Sequence, residues 1–299
     1  MSVKHPIIAV TGSSGAGTST VKLSFEHIFE RMLLSPLIVE GDSFHRYDRA
    51  KMKVVTSDAE KKGETFSHFG PQANLFKELE GQFRQYGETG SCMRRYYLHS
   101  LEEADAWNEK TKEGKKPGEF TEWEHVPVGT DLLFYEGLHG AVVDANVDVS
   151  KYADLKIGVV PIVNLEWIQK IHRDTAERGY SAEAVTQTIL RRMHDYVHYI
   201  TPQFSLTDIN FQRVPLVDTS NPFISRDIPT PDESMVVIRF HRKNLKAQNF
   251  PYLLAMIHDS FMSRPNNLVI PGGKMGMAME LILTPLIEQM LENRNKVGA

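Results

Sequence analysis

The sequence predicts an α/β protein: a doubly wound, mostly parallel sheet with helices flanking it and a mobile lid. Two observations carry that expectation. Runs rich in β-branched residues recur at 7–10, 37–39, 132–135, 155–160, 214–217, 235–240 and 268–270, and several are nearly continuous in apolar character, as strands covered on both faces are. Between many of them lie stretches with helical periodicity, at 18–33, 73–86, 163–178, 182–200 and 275–293. Strand alternating with helix is the pattern of a parallel sheet. The 299 residues read as a single domain, with no internal repeat or low-complexity tract.

Composition removes whole classes of function. With 34 Lys plus Arg against 38 Asp plus Glu, the formal net charge is −4, so nothing global favours nucleic acid or an anionic membrane. The run at 7–10 behind Lys4 is too short for a signal segment, and no apolar run approaches a membrane span. The single cysteine, Cys92, precludes an intramolecular disulfide and fits a reducing, cytoplasmic compartment.

Taken in chain order, the first strand runs into GSSGAGTST at 12–20. Gly12, Ser13, Ser14, Gly15, Ala16, Gly17, Thr18, Ser19 and Thr20 fit the phosphate-loop pattern G-x-x-x-x-G-K-[ST] except at Thr18, where that pattern has lysine. Backbone N–H groups and the dipole of a helix opening near Thr18 make an anion site without it. Ser19 stands where a hydroxyl ligates Mg²⁺. A glycine-rich turn in another α/β protein reads the same way, so the loop alone decides little.

The second strand delivers LIVEGDSFHRYDR at 37–49, with Asp42 just past its carboxyl end, where open α/β sheets bind ligands. A carboxylate there can take the proton of an acceptor hydroxyl during phosphoryl transfer, although a helix cap explains an Asp after Gly41 equally well. His45, Arg46 and Arg49 follow it. A phosphorylated acceptor needs such cations and a nucleoside does not. The stretch 102–124, rich in charge and containing Gly114, Pro117 and Gly118, reads as an exposed insertion or hairpin.

Further on, DLLFYEG at 131–137 closes a strand on Glu136, where loop-containing NTPases keep the acid that holds Mg²⁺. KIHRDTAERGYS at 170–181 places Lys170, Arg173, Asp174 and Arg178 near one helix face. Such a face is commonly just solvated. The missing loop lysine nevertheless calls for a cation from elsewhere, and Lys170 and Arg173 on a closing lid would neutralise charge on the transferred group. From about residue 214 the chain extends the sheet or adds a small layer.

Together these motifs resemble the phosphoribulokinase family, in its bacterial branch. GSSGAGTST, EGDSFHRYDR, RRYYLH at 94–99, YEGLHG at 135–140 and KIHRDTAERGYS occur in that family's order, and the likeness runs over 6–283. The resemblance implies a P-loop kinase that transfers the γ-phosphate of ATP to the 1-hydroxyl of ribulose 5-phosphate for carbon fixation. It implies Asp42 as base, with Ser19, Glu136 and Asp174 around Mg²⁺. His45, Arg49, Tyr97, His99, Arg173 and Arg178 would contact the sugar phosphate. The bacterial branch is similar also in forming a large homo-oligomer, an octamer, activated by NADH and inhibited by AMP; on that likeness Arg31, Arg239 and Arg264 become effector contacts. One cysteine cannot form the thiol switch of the light-regulated plant enzymes. Two alternatives remain at this level: a uridine-kinase-like or pantothenate-kinase-like enzyme, and a non-catalytic nucleotide switch, which would call for an N-K-x-D element that the chain lacks.

Overall fold

The computed structural model describes residues 4–12, 18–176, 179–225, 227–241 and 248–298, with the backbone alone for Thr18, Ser19, Val297 and Gly298. Its strands are β1 (Ile7–Gly12), β2 (Pro36–Glu40), β3 (Cys92–Arg94), β4 (Glu124–Val126), β5 (Leu132–Gly137), β6 (Leu155–Val160), β7 (Ile209–Pro215), β8 (Ser234–Phe240), β9 (Phe261–Arg264) and β10 (Asn267–Pro271). Its helices are α1 (Thr18–Arg31), α2 (Arg49–Lys62), α3 (Phe76–Thr89), α4 (Leu101–Thr111), α5 (Val163–Ala176), α6 (Ala182–Asp195), α7 (Phe250–Met256) and α8 (Met275–Gly298).

Eight strands form one sheet in the order β2-β5-β1-β6-β7-β8-β10-β9. From β2 to β7 the pairing is parallel, and from β7 to β9 it is antiparallel. Alternation along β1 explains the continuous apolar run. Ile8 and Val10 pack with Val21, Phe25 and Phe29 of α1 and Met279 and Leu283 of α8, whereas Ile7 and Ala9 pack with Phe76, Leu79 and Phe83 of α3. Both faces are therefore covered, as a parallel sheet requires. β3 and β4 form a separate two-stranded ribbon.

Two close approaches set the edge where ligands belong. A Cβ on Gly137 would lie 2.6 Å from the Cα of Gly41, and one on Gly12 would lie 2.7 Å from the Val159 carbonyl oxygen. The neighbouring atoms are backbone, which cannot step aside. Behind that edge sits a polar knot. The Gln203 carbonyl oxygen accepts from the Thr11 hydroxyl at 3.1 Å and the Ala141 N–H at 3.0 Å, and its amide nitrogen donates to the carbonyls of Leu138 and Tyr199. Each polar atom of this buried side chain is thus satisfied.

The elements depart from the sequence reading where packing is weak or polar. The strand expected at 214–217 is β7, which ends at Pro215; Leu216 is exposed, and Asn210, Gln212 and Arg213 break the apolar run that would have marked the strand. Helices α2 and α4 escape periodicity because they bury only Met52 and Ala59, and Ala104. Their caps were readable: Asp48 accepts from the Lys51 N–H and Ser100 from the Glu103 N–H. The stretch 102–124, expected as an exposed insertion or hairpin, contains most of α4 and a return segment that buries Thr121 before reaching β4. The helix expected over 182–200 is α6 to Asp195 followed by a single π-helical turn, Tyr196–Ile200.

Gly137→Ala is expected to lower stability by about 1–3 kcal/mol through overpacking against Gly41. Urea unfolding followed by circular dichroism measures it; an unchanged midpoint would mean that the strand ends can separate.

Candidate active site

β1, β2 and β5 deliver Gly12, Glu40 and Glu136 to one edge, and α1 opens beside them at Thr18. A helix N-terminus after β1 is an anion site by geometry. Ser13, Ser14, Gly15, Ala16 and Gly17 lie outside the described residues, as does Arg178, and of Thr18 and Ser19 only the backbone is described. Thr20 is half-buried on the first turn of α1.

Asp42 sits in a 3-10 turn, Gly41–Phe44, closed by the His45 N–H donating to the Asp42 carbonyl at 3.1 Å. Its Oδ1 lies 3.2 Å from His45 Nε2, and its Oδ2 lies 3.7 Å from His99 Nε2. The Asp42 side chain is 41% exposed, and Oδ2 is the less closely held of its two oxygens. Burial favours the neutral acid, but the His45 hydrogen bond, then the charges of His45 and His99, outweigh it, holding the carboxyl well below the usual carboxylate range.

The protonation of His45 follows from its neighbours. Asn74 donates through Nδ2 to the carbonyls of His68 and Gly70, at 2.8 and 2.7 Å. Its Oδ1 is thereby the atom facing His45 Nδ1, at 2.8 Å, and an amide oxygen can only accept. His45 Nδ1 therefore carries a proton, and Nε2 must carry one too if it is to meet a carboxylate favourably. These two partners favour the imidazolium form of His45: burial works against the charge, and the Asp42 hydrogen bond and charge more than restore it, so its pKa is raised.

Arg49 and Tyr97 join the same wall. The Arg49 guanidinium donates to the His99 carbonyl at 2.8 Å, and its backbone N–H donates to Gly118 at 2.9 Å. The Tyr97 ring packs edge-on to His99 and against Phe120, at 4.8 and 5.1 Å between centroids. Burial raises the Tyr97 pKa against the pull of the Arg49 charge. The return of the charged stretch thus builds this wall through Gly118 and Phe120. Arg46 turns away, donating to the carbonyls of Gln72 and Asn74.

Glu136 faces Glu40 across paired positions of β5 and β2. Burial, then the charges of Glu40 and Asp42, push the Glu136 carboxyl up to about 7, while Lys22 draws it down. Glu40 is raised as well, again mainly by burial. Two adjacent, half-buried carboxylates fit a divalent cation that is held by one or two protein oxygens and completed by phosphate oxygens. Among the described residues no group of three or more His, Cys, Asp or Glu forms a self-contained metal cage. Asp174 is placed instead on α5, buried between Lys170 Nζ and Arg173 Nε, the latter at 3.2 Å. Lys170, expected as a lid cation, is ion-paired to Asp174; burial, then Arg192, lowers its pKa.

His68 links the two clusters. Its ring lies 5.0 Å from that of His45. Burial, then the positive charges of Arg192, His45 and Lys170, push its pKa down to about 3, so it is neutral. The three arginines expected to contact effectors do not converge. Arg31, at the end of α1, donates to Thr284 at 2.8 Å and lies 3.5 Å from Glu280 of α8. Arg239 alternates with the core residues Ile238 and Phe240, which pack toward α1 and α8, so it projects to the opposite face, where it donates to the Phe204 carbonyl at 2.8 Å. Asn267 of β10 pairs with Arg239 on one side and Arg264 on the other.

Asn74, His68, Arg95 and Glu40 all escaped the sequence reading. Glu40 closes the run LIVE, and Arg95 stands in RRYYLH beside the residues singled out there; Asn74 has no local signal.

The sequence pattern of the phosphoribulokinase / uridine kinase family matches residues 7–220. The chain is 62% identical over 299 residues to the chromosomal phosphoribulokinase of Cupriavidus necator, covering all of both chains. It is 62% identical over 294 residues to a phosphoribulokinase of Nitrobacter vulgaris, covering 98% of this chain and 99% of that one. Among solved structures it is similar to the phosphoribulokinase from Rhodobacter spheroides, with a TM-score of 0.88 and 57% identity over 98% of this chain and 100% of that one.

His45 should titrate above the ordinary histidine value of about 6.5, and Asn74→Ala should lower its midpoint. Selectively labelled histidine NMR reads both. Because the folded pKa is raised, the contribution of His45 to stability is full below about pH 6.5 and is lost as pH rises through the raised value. A midpoint below the ordinary value would exclude the imidazolium.

Proposed function

The chain belongs to the phosphoribulokinase / uridine kinase family, and from that premise we propose how its residues divide the work of one phosphoryl transfer. The chain is a kinase: it transfers the γ-phosphoryl group of ATP to the 1-hydroxyl of ribulose 5-phosphate, giving ribulose 1,5-bisphosphate in the Calvin cycle. The observation that carries the choice of acceptor is the set of cationic and hydrogen-bonding groups around Asp42, namely His45, His99, Tyr97 and Arg49. An acceptor that already bears a phosphate is matched by such a wall, and a nucleoside is not.

In this reading Asp42 Oδ2 takes the hydroxyl proton as transfer occurs. The imidazolium of His45 holds Oδ1 and fixes the direction of attack. A carboxyl held so far below neutral pH is a weak base, which suits a loose transition state in which the proton leaves late. Arg49, Tyr97 and His99, with Arg173 and Arg178, bind the sugar phosphate. Glu136 and the Ser19 hydroxyl would hold the magnesium ion of MgATP, which would supply charge neutralisation at the phosphates; Glu40 stands beside Glu136 to share that field. Lys170 and Arg173 bring the cation that Thr18 lacks, and Asp174 keeps Lys170 in place until the nucleotide's phosphates compete for it.

NADH as activator and AMP as inhibitor belong to the same proposal, acting through Arg31, Arg239 and Arg264. Arg31 and Arg239 lie on opposite faces of one sheet, and a homo-oligomer, proposed as an octamer, would let neighbouring chains bring such positions together. We place this assembly in the cytoplasm; among the described residues no helix is long and apolar enough to cross a membrane.

A coupled ADP-release assay should show turnover with ribulose 5-phosphate and none with uridine; the reverse would make this a nucleoside kinase. In the same assay Asp42→Asn should lose about 10²–10⁴ in kcat with ATP binding nearly intact, and near-normal turnover would remove Asp42 from the role. Arg31→Ala should leave basal turnover in place and flatten the activation curve with NADH. An unchanged curve would put the effector elsewhere.

A further inference from the structure

Arg95 carries no role in the scheme above, yet it makes the most directed set of contacts near the reacting residues. Its Nε donates to the Ser43 carbonyl and its Nη2 to the His45 carbonyl, each at 2.6 Å. Those carbonyls belong to the turn that presents Asp42 and to the histidine that holds it. The guanidinium carbon lies 3.9 Å from the centroid of Phe120 and 4.7 Å from that of Trp123. Trp123 in turn packs on Phe44 at 5.7 Å, inside the same turn. Among the described residues no carboxylate lies within ion-pair distance of Arg95, although the group is half-buried. Burial holds its pKa down at about 10, which still leaves it charged at neutral pH.

We propose that Arg95 is the positioning residue of the catalytic turn: a two-pronged donor that fixes the backbone at Ser43 and His45 and so aims Asp42 at the acceptor hydroxyl. This inference rests on the reading of Asp42 as the base. Three physical points support it. A guanidinium can donate two N–H bonds in fixed relative orientation, whereas an ammonium cannot reproduce that fork. The two aromatic rings restrict it to one orientation, adding cation–π attraction. Neither bond replaces a carbonyl's helix or sheet partner, so their product is geometry at this turn. The other flank of the turn is already pinned: the Leu75 N–H donates to the Phe44 carbonyl at 2.8 Å and the Arg46 N–H to the Ala73 carbonyl at 2.8 Å. With Arg95 in place the turn is held from both sides. The arrangement also gives the return of the charged stretch a purpose, since Phe120 and Trp123 are the surfaces between which Arg95 is held.

The test compares Arg95→Ala with Arg94→Ala, whose side chain pairs with Glu124 at 2.7 Å on the ribbon. A misplacement of the base costs about 10²-fold. Arg95→Ala is therefore expected to lose that much in kcat while its KM for ATP changes by less than about threefold, and Arg94→Ala should retain kcat within about twofold. Guanidinium ion at sub-denaturing concentration should restore turnover of Arg95→Ala about tenfold, and methylammonium should not, because only the former carries the fork. If Arg95→Ala fails to fold, Arg95→Lys replaces it, with a kcat loss of about tenfold expected from the single remaining donor. Wild-type kcat in Arg95→Ala or Arg95→Lys overturns the proposal. So does a loss of kcat that no guanidinium restores and that follows a fall in thermal stability, since that is what a merely structural arginine would show. Adding Arg95→Ala to Asp42→Asn should cost little more than Asp42→Asn alone, because residues acting as one unit are not additive. Normal turnover in Asp42→Asn would instead defeat the assignment of the base; an inactive Asp42→Asn beside a normal Arg95→Ala defeats only the positioning.

Discussion

Two α-carbons in contact decide where the chemistry of this protein takes place. Gly41 and Gly137 approach so closely that a methyl group on either would meet the other's neighbourhood at under 3 Å. The ends of β2 and β5 are consequently flush, and Glu40, Glu136 and Asp42 reach the same small volume from two strands. Everything downstream builds on that alignment: the acid pair for a cation lies on the α1 side, and the turn carrying Asp42 continues past the sheet edge. A bulkier residue would separate the strand ends and with them the two sites.

The electrostatics then separate carboxylates that are near neighbours. Asp42 is surrounded by histidines and held low, while Glu136 is surrounded by carboxylates and apolar core and pushed up to about 7. Burial works in the same direction on both groups, so the distinction is made by their charged partners. One is suited to stay ionised before an incoming hydroxyl; the other is suited to a cation that would relieve its burial. Asn74 and His68, with no charge of their own, determine which nitrogens of His45 bear protons and so set the first of these environments.

Much of this was legible in the order of residues, and the rest failed for identifiable reasons. β1, β5 and β6 announce themselves because both faces are covered, leaving apolar runs without alternation, and β2 reads the same way only because its exposed position carries Ile38. Asp42 and Glu136 are legible because each follows such a run directly. β7 was misplaced because Asn210, Gln212 and Arg213 interrupt its apolar residues, and Asn210 is buried only through bonds to Thr207 and the Phe204 carbonyl. α2 and α4 bury too little to show a stripe. Arg95 and Gln203 act on backbone atoms far away in sequence, and Asn74 on the distant His45 ring, so no local pattern marks them. Lys170 was read as a cation, and its Asp174 partner at i+4 was equally visible; that the two would be buried together was not.

The position of β1 has a further consequence for how the chain acquires its structure. β1 precedes every other described strand and lies inside the sheet, yet it touches neither β2 nor any other strand that soon follows it: its partners are β5 and β6, beginning with Ile7 beside Leu133 and Ile8 beside Leu155. The tie from Thr11 to Gln203 spans 192 positions. A growing chain therefore carries β1, all six of whose residues are buried in the finished fold, without a strand partner until β5 emerges, and the end of β1 is tied down only after residue 203 emerges. The edge from which the proposed phosphate loop departs is thus completed late, and an apolar strand stays open to wrong partners until residues 132–137 reach it.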